Sequence, residues 1–148
     1  MRQETARWAI QDLIMTYAAL VDAGDFAGVG ELFRDGTLHS GGDRTGSQEV
    51  ADWYRAILIV HPDGTPRTRH VTTNVRVTVE GDAASAHSYF TVFQGTETLA
   101  LQPIAAGYYD DRFVVREGEW RFAERTPVVT HAGDVSQHLR TEVIRAAG

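Results

Sequence analysis

Three residues of this chain have the types and setting for proton chemistry: Tyr17, Asp22 and His70. Tyr17 and Asp22 fall near the end of one helical pattern, and His70 opens a long strand pattern, all in apolar surroundings. A carboxylate, an imidazole and a phenol that converge can abstract a proton and help to expel a hydroxyl group. Asp22 stands at a helix C-terminus, where the helix dipole favours positive charge. It follows Ala18 by one turn and adjoins Val21. Partial burial there is expected to raise its pKa and make it a better base near neutrality. Histidine titrates closest to neutral pH, so His70 can act as a base or become a stabilised imidazolium beside Asp22. The Tyr17 hydroxyl can polarise a carbonyl and stabilise a developing enolate. Each residue also has a plain role, as a loop carboxylate, a strand-end imidazole or a packed phenol. Only the three together make a set able to move a proton.

The elements that must position them follow from hydropathy period. Ile10, Leu13, Ile14, Tyr17, Ala18 and Val21 recur at spacings of three and four, which predicts a helix over 4–22. Gly24 supplies a stop and Asp25 an N-cap for a short second helix carrying Phe26, Val29, Leu32 and Phe33. Asp35-Gly36 marks a turn, 37–40 a short strand, and Gly41-Gly42 another turn. Ser47 is expected to cap a third helix over 48–60, with Val50, Trp53, Tyr54, Ile57 and Leu58 on one face. After the 61–68 loop the period becomes two: Val71, Thr73, Val75, Val77 and Val79 alternate with His70, Thr72, Asn74, Arg76 and Thr78. That alternation places His70 and Asn74 together, opposite the valines. Further strands are expected over 84–94, over 98–116 with an interruption near Pro103, and over 120–129. The tail from Gly133 is read as a short helix over Val135, Leu139 and Val143.

Helices first and long antiparallel strands after give an α+β fold, with a strongly curved sheet wrapping the helices into a cone that can hold a ligand. The 148 residues suit one domain, with its core over about 5–129 and a C-terminal extension over 130–148. Candidate substrate contacts are Trp53 and Tyr54 on the third helix, Asn74 and Ser88 on successive strands, and Tyr108 in the run Tyr108-Tyr109-Asp110-Asp111-Arg112. The alternating valines imply an apolar face that a partner subunit would bury, so a homo-oligomer is expected.

Composition narrows the chemistry. There is no cysteine and no lysine; all 14 basic residues are arginine. Disulfide, thiolate and Schiff-base chemistry are therefore excluded. The net charge of −6 disfavours a nucleic-acid partner. No membrane span or signal peptide is read, so the expected location is the cytoplasm. The six histidines, at 39, 61, 70, 87, 131 and 138, show no metal-ligand spacing. His131, Asp134 and His138 could meet on the tail helix, but surface placement explains them better. No metal site and no cofactor are expected, and Gly28-Val29-Gly30 lacks the context of a phosphate loop.

Several stretches together resemble the SnoaL-like branch of the nuclear transport factor 2-like (NTF2-like) superfamily: Tyr17 to Asp25, Leu32 to Gly36, Arg69 to Asn74, Gly81 to Ala84, Gly107 to Phe113 and Gly118 to Arg125. The resemblance spans about Thr5 to Val129 and implies a cone-like α+β barrel with a pocket between sheet and helices. That branch includes scytalone dehydratase, bile acid 7α-dehydratase and small subunits of ring-hydroxylating dioxygenases. By this resemblance, Asp22 and His70 match a cavity aspartate and histidine, and Tyr17 a tyrosine five positions before the aspartate. Ser88 stands where the scytalone enzyme has a second histidine, which argues against scytalone as substrate. The resemblance implies cofactor-free dehydration or isomerisation of a small apolar cyclic hydroxy-ketone or polyketide-like molecule, by a homo-trimer or homo-dimer. A non-catalytic binding protein and a dioxygenase scaffold subunit are the alternatives it leaves.

Overall fold

A computed structural model describes residues 2–142. Three helices precede most of a six-stranded sheet: α1 (Gln3–Ala23), α2 (Phe26–Leu32), β1 (Thr37–His39), β2 (Asp43–Thr45), α3 (Gly46–Ile57), β3 (Thr68–Glu80), β4 (Ala83–Gln94), β5 (Gln102–Arg116) and β6 (Glu119–Ala132). The sheet order is β2-β1-β6-β5-β4-β3. All neighbours are antiparallel except β1 and β6, which run parallel.

α1 buries Ala6, Ile10, Ile14, Tyr17, Ala18 and Val21, the expected stripe. Gly24 ends the helix in the left-handed region, φ 74°. A side chain there would also run into the Gly64 carbonyl oxygen. The N–H groups of Gly24 and Asp25 turn back to the carbonyls of Val21 and Leu20, satisfying the last turn. The Asp25 carboxylate accepts from Gly28 N–H at 2.9 Å and starts α2.

α3 differs from expectation at both ends. It starts at Gly46 with Thr45, not Ser47, at the cap, and Glu49 reaches back to accept from the Thr45 N–H at 2.7 Å. It stops at Ile57 because Leu58 turns extended and bridges to Leu139. The short strand β2 occupies residues between the Gly41-Gly42 turn and the third helix, to which the hydropathy pattern assigns no element. The tail is not a helix over 135–139: residues 136–138 form a turn, Leu139 is in that bridge, and Val143 lies outside the described residues.

The largest difference is in β3. Thr73 pairs with Tyr89 but Arg76 pairs with His87, so Asn74 and Val75 together oppose Ser88 in a bulge. Asn74 adopts φ 54° and is exposed. The bulge exchanges the faces. Before it, Thr68, His70 and Thr72 point inward, opposite Gln94, Val92 and Phe90 of β4; after it, Val77 and Val79 do so, opposite Ala86 and Ala84. Val71 is therefore exposed while Val77 is buried. The five alternating residues form no single apolar face, and Asn74 does not share one with His70. The main core lies between the inner sheet face and the helices, around Ile10, Ile14, Val29, Phe33, Phe113 and Phe122.

Candidate active site

β3 opens with three groups aimed at Asp22. Asp22 Oδ1 accepts from Thr68 Oγ1 at 2.8 Å and from His70 Nδ1 at 2.6 Å, and Oδ2 accepts from the His70 backbone N–H at 2.9 Å. The strand's period of two makes this possible, because Thr68 and His70 share the inward face. Both acid and imidazole are largely covered, at 12% and 9% side-chain exposure. Burial pushes the Asp22 carboxyl up, but the hydrogen bonds and charge of His70 and the Thr68 hydroxyl outweigh it, and its pKa lies below the ordinary value. This reverses the raised pKa expected from burial alone. Asp22 is thus ionised near neutrality, with both oxygens engaged. In neutral His70 it fixes the hydrogen on Nδ1 and leaves Nε2 as the acceptor, and no described residue hydrogen-bonds Nε2.

A cavity of about 570 Å³ touches Asp22 and Thr68, with Arg67, Phe93, Leu99 and the outward-facing Arg69 among its other walls; the His70 ring does not line it. The segment after β6 packs against the end of α3 and against Gln94 of β4. Ile59 N–H donates to the His138 carbonyl (2.8 Å), Arg140 N–H to the Ile57 carbonyl (3.0 Å), and Gln94 Nε2 to the Gln137 carbonyl (3.0 Å). The His138 ring is thereby buried 6.5 Å from the His70 ring, centre to centre.

Tyr17 lies deeper. Its hydroxyl hydrogen-bonds the Tyr54 hydroxyl. The Arg125 guanidinium sits 4.2 Å from the Tyr17 ring centre and 3.7 Å from that of Tyr109. Asp111 holds Arg125 through two bonds of 2.8 and 2.9 Å, both side chains fully buried. Burial raises the Tyr17, Tyr54 and Tyr109 pKa values, so these phenols are neutral donors. Burial works against the Arg125 cation, but Asp111 prevails and holds its pKa above the usual value. Ser88 is fully buried on the inner face, across from Tyr109, with no partner for its hydroxyl among the described residues.

The structure brings Asp22 and His70 into contact and places Tyr17, Tyr54 and Ser88 inside the cone, while three other candidates lie elsewhere. Trp53 packs under the β1–β2 hairpin, where the Arg44 guanidinium stands 3.9 Å from its ring centre. Asn74 is in the exposed bulge. Tyr108 pairs with Tyr89 and lies against His87 on the outer sheet face. That face carries a second cavity, about 430 Å³, between His39, Arg76, His87, Asp110, Arg112 and Glu124. Among the described residues no group of three histidine or acidic side chains is arranged to hold a metal ion. Thr68, His138 and the Arg125–Asp111 pair were missed by sequence reasoning. The legible signals were Thr68 two positions before His70, and Asp111 in phase with Tyr109 and Phe113.

A helix-filled, curved and mainly antiparallel sheet with a largely covered Asp–His pair between the first helix and β3 defines a class of cone-shaped α+β proteins. The chain belongs to the SnoaL-like domain family, whose model matches residues 2–126. It is similar to three solved structures from Novosphingobium aromaticivorans. One is an NTF2-like protein with a cystatin-like fold, at 24% identity, TM-score 0.70, covering 88% of this chain and 86% of that one. Another is the beta subunit of a provisionally assigned aromatic-ring-hydroxylating dioxygenase, at 23%, TM-score 0.69, covering 91% and 96%. The third is a protein provisionally assigned as scytalone dehydratase, at 20%, TM-score 0.69, covering 88% and 87%. These likenesses show the NTF2-like fold. No curated protein matches the chain. Among the described residues no helix is long and apolar enough to cross a membrane.

Proposed function

We propose that the protein is a cofactor-independent lyase or isomerase acting on a small, mostly apolar cyclic hydroxy-ketone or polyketide-like metabolite. The observation that carries this reading is the Asp22–His70 pair, with Nε2 of His70 unpartnered at the inner face. His70 Nε2 takes a proton from the carbon next to the carbonyl, and the C–H electrons move into an enolate. The enolate then expels the β-hydroxyl, which takes the proton back from His70 and leaves as water. In an isomerisation the same proton returns to another carbon. Asp22 orients the ring and balances the imidazolium, a role its occupied oxygens favour over that of direct base. Tyr17, kept neutral and oriented by Tyr54, donates to the carbonyl oxygen as charge develops, and Ser88 supplies a second inward hydroxyl. A positioned base contributes about 10² to 10⁴-fold, so orientation and the Arg125-backed phenols must supply the rest.

The test is turnover of a cyclic β-hydroxy-ketone panel by the wild type and by Asp22→Asn. The variant keeps the fold and loses most turnover; full turnover in a correctly folded variant overturns the mechanism. The reading also includes a cytoplasmic homo-trimer or homo-dimer, which sedimentation checks for assembly.

One observation favours a second reading, a scaffold subunit of a ring-hydroxylating dioxygenase. The rings of Tyr17, Phe33, Phe90, Tyr109 and Phe122 fill the space between helices and sheet, and line neither cavity described above. Stable co-purification with a larger oxygenase chain, without turnover by this chain alone, would select it.

A further inference from the structure

His138 is buried, yet its ring makes no hydrogen bond to any described residue. The bonds that seat its segment use main-chain atoms and the side chains of Gln94 and His61, so none of them needs an imidazole at 138. A buried nitrogen without a partner carries a cost that an apolar ring of similar shape would avoid. The ring also stands beside His70, 6.5 Å away centre to centre.

We propose that His138 is a substrate-binding residue of this site, hydrogen-bonding the oxygen of a cyclic ketone held over His70, so that the C-terminal segment completes the site. The inference rests on the acid–base reading above and adds a contact to it. Burial first, then the neighbouring His70 and, more weakly, His61, push the His138 pKa down to about 4 against the opposing pull of Asp22. The imidazole is therefore a neutral donor or acceptor at working pH. It orients the oxygen without taking a proton from His70, and the proton balance of the elimination is unchanged.

The experiment uses 2-tetralone, a bicyclic ketone with no hydroxyl to lose, titrated into the full chain while the histidine ring nitrogens are followed by NMR. Saturable shifts at both His138 and His70 are expected. The dissociation constant should weaken about tenfold in His138→Phe and be largely restored in His138→Gln. Thermal melts confirm that both variants are folded. Wild-type affinity in His138→Phe, shifts confined to His70, or no saturable shift at His138 overturns the proposal. The acid–base reading is judged separately, by α-hydrogen exchange in Asp22→Asn and His70→Gln at saturating ketone; loss of exchange there upholds it whatever His138 does.

Discussion

Replacing Asp111 by alanine strands the Arg125 cation in the core. The two side chains have no solvent exposure and meet through bonds of 2.8 and 2.9 Å. With an effective dielectric constant near 20, two unit charges about 4 Å apart attract by roughly 4 kcal/mol. Tyr17 and Tyr109 remain beside the guanidinium, but both are neutral and neither replaces the lost carboxylate charge. Losing one member of a buried pair costs about 3–5 kcal/mol, much of it the unpaired charge left behind. Asp111→Ala should therefore lower the unfolding free energy by about that amount in urea titrations followed by circular dichroism. The double variant Asp111→Leu/Arg125→Met removes both charges and should recover at least half of the loss. A single-variant cost below about 1 kcal/mol, the range of exposed pairs, would refute the claim that the pair is dry. A double variant no better than the single would refute the claim that the stranded charge is the cause.

Two further outcomes follow from named contacts. Gly107→Ala drives a methyl group into the Val128 carbonyl oxygen across the β5–β6 ladder, so it should cost about 3 kcal/mol or more and lower the melting temperature; an unchanged melt would mean the strands can part there. His138 stays neutral in the native state, whereas the unfolded chain takes up the proton below pH 6.5, so its stability contribution is full above pH 6.5 and is lost as the pH falls to about 4. At about 1.36 kcal/mol per pH unit, the stability difference between wild type and His138→Phe should shift by about 3 kcal/mol over that window, and parallel curves would contradict the burial of the ring.

How far the sequence determines this structure depends on whether the signal is local. α1 and its glycine stop were legible because the apolar spacing, the left-handed Gly24 and the Asp25 cap all act within a few residues. The α+β order was legible from the change of period after residue 68. The β3 bulge was not, because Asn74 and Val75 leave the hydropathy alternation intact while the register with β4 slips by one. That slip reassigned Asn74 and removed the expected valine face. Asp22 and His70 were singled out by type, position and family resemblance, and strand phase then placed Thr68 beside them. The direction of the Asp22 pKa needed the three hydrogen bonds, which only the folded chain shows. His138, expected at the surface of a tail helix, is instead buried, through backbone pairing with residues near position 58, some 80 positions away.

The central claim is that His70, held by Asp22, removes a proton from carbon next to a carbonyl. The most direct measurement follows α-hydrogen exchange of 2-tetralone in D₂O by proton NMR, comparing wild type with His70→Gln. Exchange well above the buffer rate in the wild type, lost in a variant with an unchanged far-ultraviolet spectrum, is the predicted result. Exchange at the buffer rate in the wild type, or equal exchange in both proteins, would contradict it.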